Sequence, residues 1–171
     1  MGTTGLGPIA VDFEETAVPA NGGDWRMAWH PPGEVPDGLP HGAGAFCVTG
    51  ADEVVLISTD GVRWGWPGGR PEAGESWEDV LRREMLEEAC VTVTEARLLG
   101  FVRSRCLDGA ETGRVLVRSI WRADVEVLPW APEFEIPFRK VVPGRELARH
   151  LWMEDGAGPI YSRAARAAGI A

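Results

Sequence analysis

Between Arg114 and Leu128 the chain alternates. Val115, Val117, Ser119, Trp121, Ala123, Val125 and Val127 fall on one side, and Leu116, Arg118, Ile120, Arg122, Asp124 and Glu126 on the other. A period of two is that of a β-strand, whose successive side chains point to opposite faces. The shorter apolar runs "AFCVT" (45–49) and "EVVLIST" (53–59) are rich in β-branched residues and predict two more strands. Asp60-Gly61 follows at once, a two-residue hairpin signal which predicts that "VRWGW" (62–66) returns antiparallel. "LLGFVRSRC" (98–106) and "FEIPFRKVV" (134–142) read as further strands, and "GRELARHLW" and "SRAARAAGI" as helices.

One segment switches to a helical period. Ser76 with Asp79 fits a capping-box start, and Glu78 and Asp79 place negative charge in the first turn, where the helix dipole favours it. Leu81, Met85 and Ala89 then stack on one stripe, with Glu84, Glu87 and Glu88 crowded beside it. The order is strands, one strong helix, more strands, then helices. Ahead of all this, residues 1–42 carry Pro8, Pro19, Pro31, Pro32, Pro36 and Pro40, which forbid long helices. An extended or partly ordered arm is expected there, packed on the core or on the partner subunit of a homodimer. Within it the alternation of Trp25, Met27 and Trp29 allows a short strand.

At 171 residues, 44% hydrophobic and 25% charged, the chain has the size and composition of one globular domain. A formal net charge of -9 excludes a non-specific nucleic-acid binder, which needs a basic face. It leaves room for a small phosphorylated ligand whose charge is met by a metal ion and one or two arginines. Cys47, Cys90 and Cys106 show neither disulfide-framework nor zinc-site spacing. With no long apolar run and no signal-like start, a cytoplasmic protein without a membrane segment is expected.

Charge makes the helix unusual. Like charges at i, i+3 and i+4 repel by a few tenths of a kcal/mol per pair, so a solvated helix gains little from Glu84, Glu87 and Glu88 together. Pairing with Arg82 and Arg83 would be one remedy. A hard divalent cation, Mg²⁺ or Mn²⁺, would be another, since it accepts several carboxylates at once.

The residues before the helix bear on that choice. "GGRPEAGESWEDVLRREMLEEAC" resembles the Nudix box, G-x5-E-x7-R-E-U-x-E-E-x-G-U with U aliphatic. Gly69 stands as the first glycine, followed by Glu75, Arg83-Glu84, Met85, Glu87-Glu88 and Val91. Cys90 departs from the pattern, standing where the box has its second glycine. In such a place a non-glycine residue either strains by about 1 kcal/mol in a left-handed conformation or bends the helix exit differently. The preceding "WGWPGG" is similar to the usual lead-in, and "EIPFRKVVPGREL" to the family's late strand and helix. The likeness is specific over residues 64–91 and loose over 43–155.

The resemblance implies a Nudix domain over 43–171, an α/β/α sandwich around a central mixed sheet. It further implies a metal-dependent pyrophosphohydrolase cleaving a nucleoside diphosphate linked to another group. By that analogy Glu84, Glu87 and Glu88 would ligate Mg²⁺ or Mn²⁺ together with the Gly69 carbonyl. Glu75 and Arg83 would hold loop and helix in register. The general base would be Glu88, or a later-loop glutamate, Glu133 or Glu135. Trp66, Arg118 and Arg122 are candidates for contacts to the small nucleotide substrate. The alternative within the same fold is a catalytically silent nucleotide sensor or interaction module.

Overall fold

The structure, a computed structural model, describes residues 14–133 and 136–170. Its strands are β1 (Glu15–Ala20), β2 (Gly23–His30), β3 (Leu39–Val48), β4 (Glu53–Ser58), β5 (Gly68–Gly69), β6 (Val91–Asp108), β7 (Val115–Val127) and β8 (Phe138–Pro143). Helix α1 (Trp77–Ala89) follows β5, and α2 (Leu147–His150) and α3 (Gly158–Ala168) close the chain. The strands form one sheet in the order β1-β2-β6-β7-β3-β4-β8, with β5 paired to β3. β3 runs parallel to β7 and antiparallel to β4 and β5, so the sheet is mixed.

Both faces are covered. On one, Val80, Leu81, Met85 and Ala89 of α1 pack on Ala45 and Cys47 of β3, Val55 of β4 and Ala123 of β7. On the other, Ile160, Ala164 and Ala168 of α3 meet Phe46, Leu56, Ile120 and Val142. Alternation along β3 feeds both layers, Cys47 to the first and Phe46 to the second, as the pleat requires. The result is the expected α/β/α sandwich with a central mixed sheet.

The N-terminal region differs from the expected arm. From Glu15 onward it is a β-hairpin, with β2 paired antiparallel to β6 from Asp24↔Asp108 to His30↔Phe101. The division after residue 42 falls inside β3, whose first residue is Leu39. Pro19 is accommodated because β1 is an edge strand, where a missing N–H removes no bond to a further strand. The first part of the arm lies outside the described residues.

The "VRWGW" segment is a second correction. It touches β4 only at the bridge Ile57↔Gly65, on the β3 side of β4, and β8 lies along the opposite edge. Side chains have captured the turn. Ser58 Oγ accepts from the Gly61 N–H at 2.9 Å, and Asp60 Oδ1 accepts from the Val62 and Arg63 N–H groups at 2.8 Å each. Those donors are withdrawn from any ladder, a competition that short polar side chains often win.

Candidate active site

The site begins with how α1 is started. Ser76 Oγ accepts from the Asp79 N–H at 3.2 Å and Asp79 Oδ2 accepts from the Ser76 N–H at 2.9 Å, the reciprocal pair of a capping box. This fixes the phase of the helix. With Leu81, Met85 and Ala89 fully buried, Glu84, Glu87 and Glu88 are turned half-buried toward the β5 turn.

There the backbone and the carboxylates interlock. The Gly68 N–H donates to Glu88 Oε2 at 2.8 Å. A Cβ at Gly69 would lie 2.0 Å from Glu84 Oε1, so only glycine lets the turn pass this close to the carboxylate. Arg83 gathers the rest. Its guanidinium donates to both oxygens of Glu75 at 2.7 and 2.8 Å, to Glu84 at 2.8 Å, to Glu87 at 3.2 Å and to the Arg70 carbonyl at 2.9 Å. One cation thereby ties the loop before the helix to the helix itself. The Arg83 guanidinium holds the Glu75 carboxyl down at about 2, helped by the Glu72 N–H. Glu88 moves the other way. Burial, reinforced by Glu84 and Glu87, pushes its carboxyl up to about 7 against the Gly68 hydrogen bond.

Among the described residues no three His, Cys, Asp or Glu side chains converge as a ready-made metal cage. Arg83 meets two of the three glutamates instead. The donor set nonetheless fits a hard cation in its chemistry: Glu84, Glu87 and Glu88 offer carboxylate oxygen beside the Gly69 carbonyl. Burial first, and the neighbouring charges of Glu84 and Glu87 after it, raise the Glu88 carboxyl.

Gly42 connects this cluster to a cleft. A Cβ there would lie 2.5 Å from the Gly69 carbonyl oxygen and 3.3 Å from Arg118 Nε. Arg118 makes no hydrogen bond or ion pair among the described residues. Its guanidinium sits on the cleft floor, surrounded by protein yet open to solvent through the mouth, and Glu88, Glu154 and Tyr161 act on it electrostatically. Trp66 lines the same cleft, stacked on Tyr161 with centroids 4.6 Å apart and edge-on to Phe46 at 4.6 Å. Burial pushes the Tyr161 hydroxyl up to about 12, so it remains an O–H donor at neutral pH.

Other expected residues are placed elsewhere. Arg122 pairs with Asp124 at 3.0 Å and donates to the Ala168 carbonyl at 2.7 Å. It ties down the C-terminus of α3, away from the cleft lining, because a helix end with free carbonyls attracts a cation. Glu133 is exposed on the loop after β7, and Glu135 lies outside the described residues. Glu154 and Tyr161 carry no motif, and only their position in the fold reveals them. Tyr161 is the one tyrosine in the chain, which alone could have drawn attention to it.

Cys90 takes the left-handed conformation expected of a glycine, with φ 51° and ψ 52°. The strain, about 1 kcal/mol, is comparable to what burying its side chain returns, which explains why the helix tolerates it. The exit is fixed from outside the helix. Arg139 Nη1 donates to the carbonyls of Ala89, Cys90 and Leu128 at 2.9, 3.1 and 3.0 Å, with its guanidinium over Trp130 at 4.9 Å. Arg139→Ala should therefore lower stability by about 2 kcal/mol, the value of hydrogen bonds from a charged donor. An unchanged urea midpoint would show that water replaces the guanidinium without loss.

Residues 38–163 match the family model of the NUDIX domain, and the chain belongs to that family. No curated protein sequence matches it. Among solved structures it resembles a mutant of the Bacillus subtilis pyrophosphohydrolase BsRppH, with 21% identity, a TM-score of 0.65, and coverage of 85% of this chain and 92% of that one. A NUDIX hydrolase from Nitrosomonas europaea aligns with 19% identity and a TM-score of 0.58 over 78% of this chain and 90% of that one. The NUDIX domain of Shewanella oneidensis NrtR, crystallised with ADP ribose, aligns with 19% identity and a TM-score of 0.51 over 77% and 88%. At such identities the likeness is one of fold.

Proposed function

We propose that the protein hydrolyses the pyrophosphate linkage of a nucleoside diphosphate joined to another group, with Mg²⁺ or Mn²⁺ held by Glu84, Glu87, Glu88 and the Gly69 carbonyl. The observation that carries this reading is continuity. The carboxylate cluster, the Gly69 turn and the Arg118 guanidinium follow one another across Gly42 into an open cleft. A diphosphate lying along that path meets a cation-binding end and an arginine fork suited to phosphate oxygens. When bound, the metal would neutralise phosphate charge and polarise a water. Glu75 and Arg83 hold the loop against the helix, and Glu88 is the base candidate that the fold keeps within the cluster.

A panel of nucleoside triphosphates, nucleotide sugars, ADP-ribose and dinucleoside polyphosphates with Mg²⁺, read by phosphate or nucleotide release, tests the reading. For any substrate found, Glu87→Gln should lower kcat at least about a hundredfold with the melting curve preserved. A variant as fast as the parent would remove Glu87 from the metal set. One observation favours a binding module without catalysis: Arg83 already meets Glu84 and Glu87. That reading expects Mg²⁺ to leave the melting temperature unchanged, whereas a metal-dependent hydrolase should be stabilised by it.

A further inference from the structure

Of the 17 lysines and arginines in the chain, Lys140 is the one lysine. It stands on β8, the edge strand at the far end of the sheet from β1. Its partner on β4 is Leu56, which packs toward α3, so the Lys140 side chain leaves the sheet on the face opposite α1 and its glutamates.

There the amine is set among particular side chains. Nζ lies 4.2 Å from the centre of the Trp64 ring and 3.2 Å from His150 Nδ1. His150 is the last residue of α2, and four residues earlier Glu146 brings a carboxylate oxygen to 4.0 Å from Nε2, sharing its charge with the exposed Arg145 at 3.7 Å. An ammonium can only donate, so the contact at Nδ1 places the imidazole proton on Nε2, facing the carboxylate. The backbone fixes these neighbours together. Trp64 bridges in parallel to Leu151, the residue after His150, and its carbonyl accepts from the Trp152 N–H at 2.8 Å. One crossing of two chain segments thereby sets both the ring and the imidazole about the amine.

A solvated surface lysine has none of this. Burial of the amine lowers its pKa, which raises the share of the unprotonated, nucleophilic form. The negative face of Trp64 acts in the other direction and holds the group in place. Carboxylate, imidazole and amine then follow in the order that activates a nucleophile: the first orients the second, and the second takes a proton from the third as it attacks.

We propose that Lys140 is a nucleophilic acylation site whose acyl donor is a thioester, with His150 as its base and Glu146 as a positioning residue. The unprotonated Nζ attacks the acyl carbon and an N–C bond forms. The proton shed by Nζ passes to His150 Nδ1, the C–S bond breaks, and the thiolate leaves as a thiol by taking that proton back. Amide and thiol are the products, and no oxidant or reductant is needed. A thioester suits the site because a thiolate leaves more readily than an amine does. Phe138, two residues earlier on the same face of β8 and 44% exposed, offers apolar surface to the acyl group. The proposal is independent of the hydrolase reading.

The acetyl thioester of N-acetylcysteamine, a small uncharged donor, provides the test, with the added group located by peptide mapping. At neutral pH Lys140 should be acetylated at least about tenfold faster in the folded chain than in the same chain unfolded in guanidinium chloride. His150→Asn places an amide oxygen near the position of Nδ1, able to accept a hydrogen bond but no proton. It should slow the folded reaction about tenfold and leave the melting curve unchanged. Glu146→Gln should slow it by a smaller factor. A Lys140 that reacts no faster folded than unfolded would be a clamp on Trp64 and nothing more, and would overturn the proposal. A parent-like rate in folded His150→Asn would overturn it equally, since the imidazole would then take no proton.

Discussion

Gly69→Ala should lower the rate of hydrolysis about a hundredfold, the usual effect of misplacing a reacting group by about 1 Å. The added methyl would lie 2.0 Å from Glu84 Oε1 and 2.1 Å from its Cδ. Neither atom is backbone. The carboxylate swings aside on a flexible stem, so folding is spared and the melting temperature should move by no more than a degree or two. What cannot be spared is the position of Glu84, which leaves both the Gly69 carbonyl and the Arg83 guanidinium when it moves. Parallel measurement of kcat and of thermal melting separates the two effects. A variant that loses stability and keeps its rate would show that the close approach serves packing and that Glu84 is no ligand.

Arg83→Ala is expected to be damaging in a different manner. It removes the one side chain among the described residues that contacts Glu75, Glu84 and Glu87 together, so loop and helix lose their common tie. The melting temperature at neutral pH should fall by about 5 °C, as loss of a charge-assisted hydrogen bond does in a domain of this size. Activity should fall by more than tenfold because the glycine turn is no longer held against the helix.

The pH dependence carries a sign. Glu75 has a folded pKa near 2, lowered from 4.5. Its contribution is therefore complete above about pH 4.5 and is lost as pH falls toward 2. The gap between Arg83→Ala and the parent should be widest at neutral pH and shrink through that acid window. Mg²⁺ should also raise the melting temperature of the variant more than that of the parent, since a bound cation replaces the missing charge among the glutamates. A gap independent of pH would mean that Glu75 is not the principal partner of Arg83.

The parts of this structure that were legible in the sequence are those fixed by neighbours along the chain. The capping box at Ser76, the stripe of Leu81, Met85 and Ala89, and the carboxylates beside it all lie within a few turns of one helix. Strand β7 announced itself by alternation, although both of its faces proved buried, Ala123 and Val125 toward α1 and Ile120 toward α3, with Leu116 packed on Trp25 and Cys106. Long-range choices were not legible. β4 takes β3 on one side and β8, far along the chain, on the other, while the polar turn at Ser58 and Asp60 consumes the N–H groups that a longer hairpin would have used. Prolines disguised β1, since a residue forbidden in a central strand is harmless on an edge whose position depends on the finished sheet. The two arginines of β7 show the same limit. Arg118 and Arg122 share a strand face, and only the placement of α3 decides that one reaches the cleft while the other closes a helix end.

The hairpin has a consequence for how the chain can be divided. Its second strand shields residues 101–108 of β6, an eighteen-residue strand whose other side is already taken by β7. A fragment trimmed to the span of the family match would end its sheet in a long bare edge, open to the backbone of any neighbouring copy. Two residues of that fragment, Gly156 and Arg163, would face solvent where Ala17 and Glu14 had been. The excised domain would thus invite fibre-like self-pairing at a border that the intact chain covers with β2 and ends in the short, proline-bearing edge strand β1. The domain that the family model matches relies on the hairpin ahead of it to cover that edge.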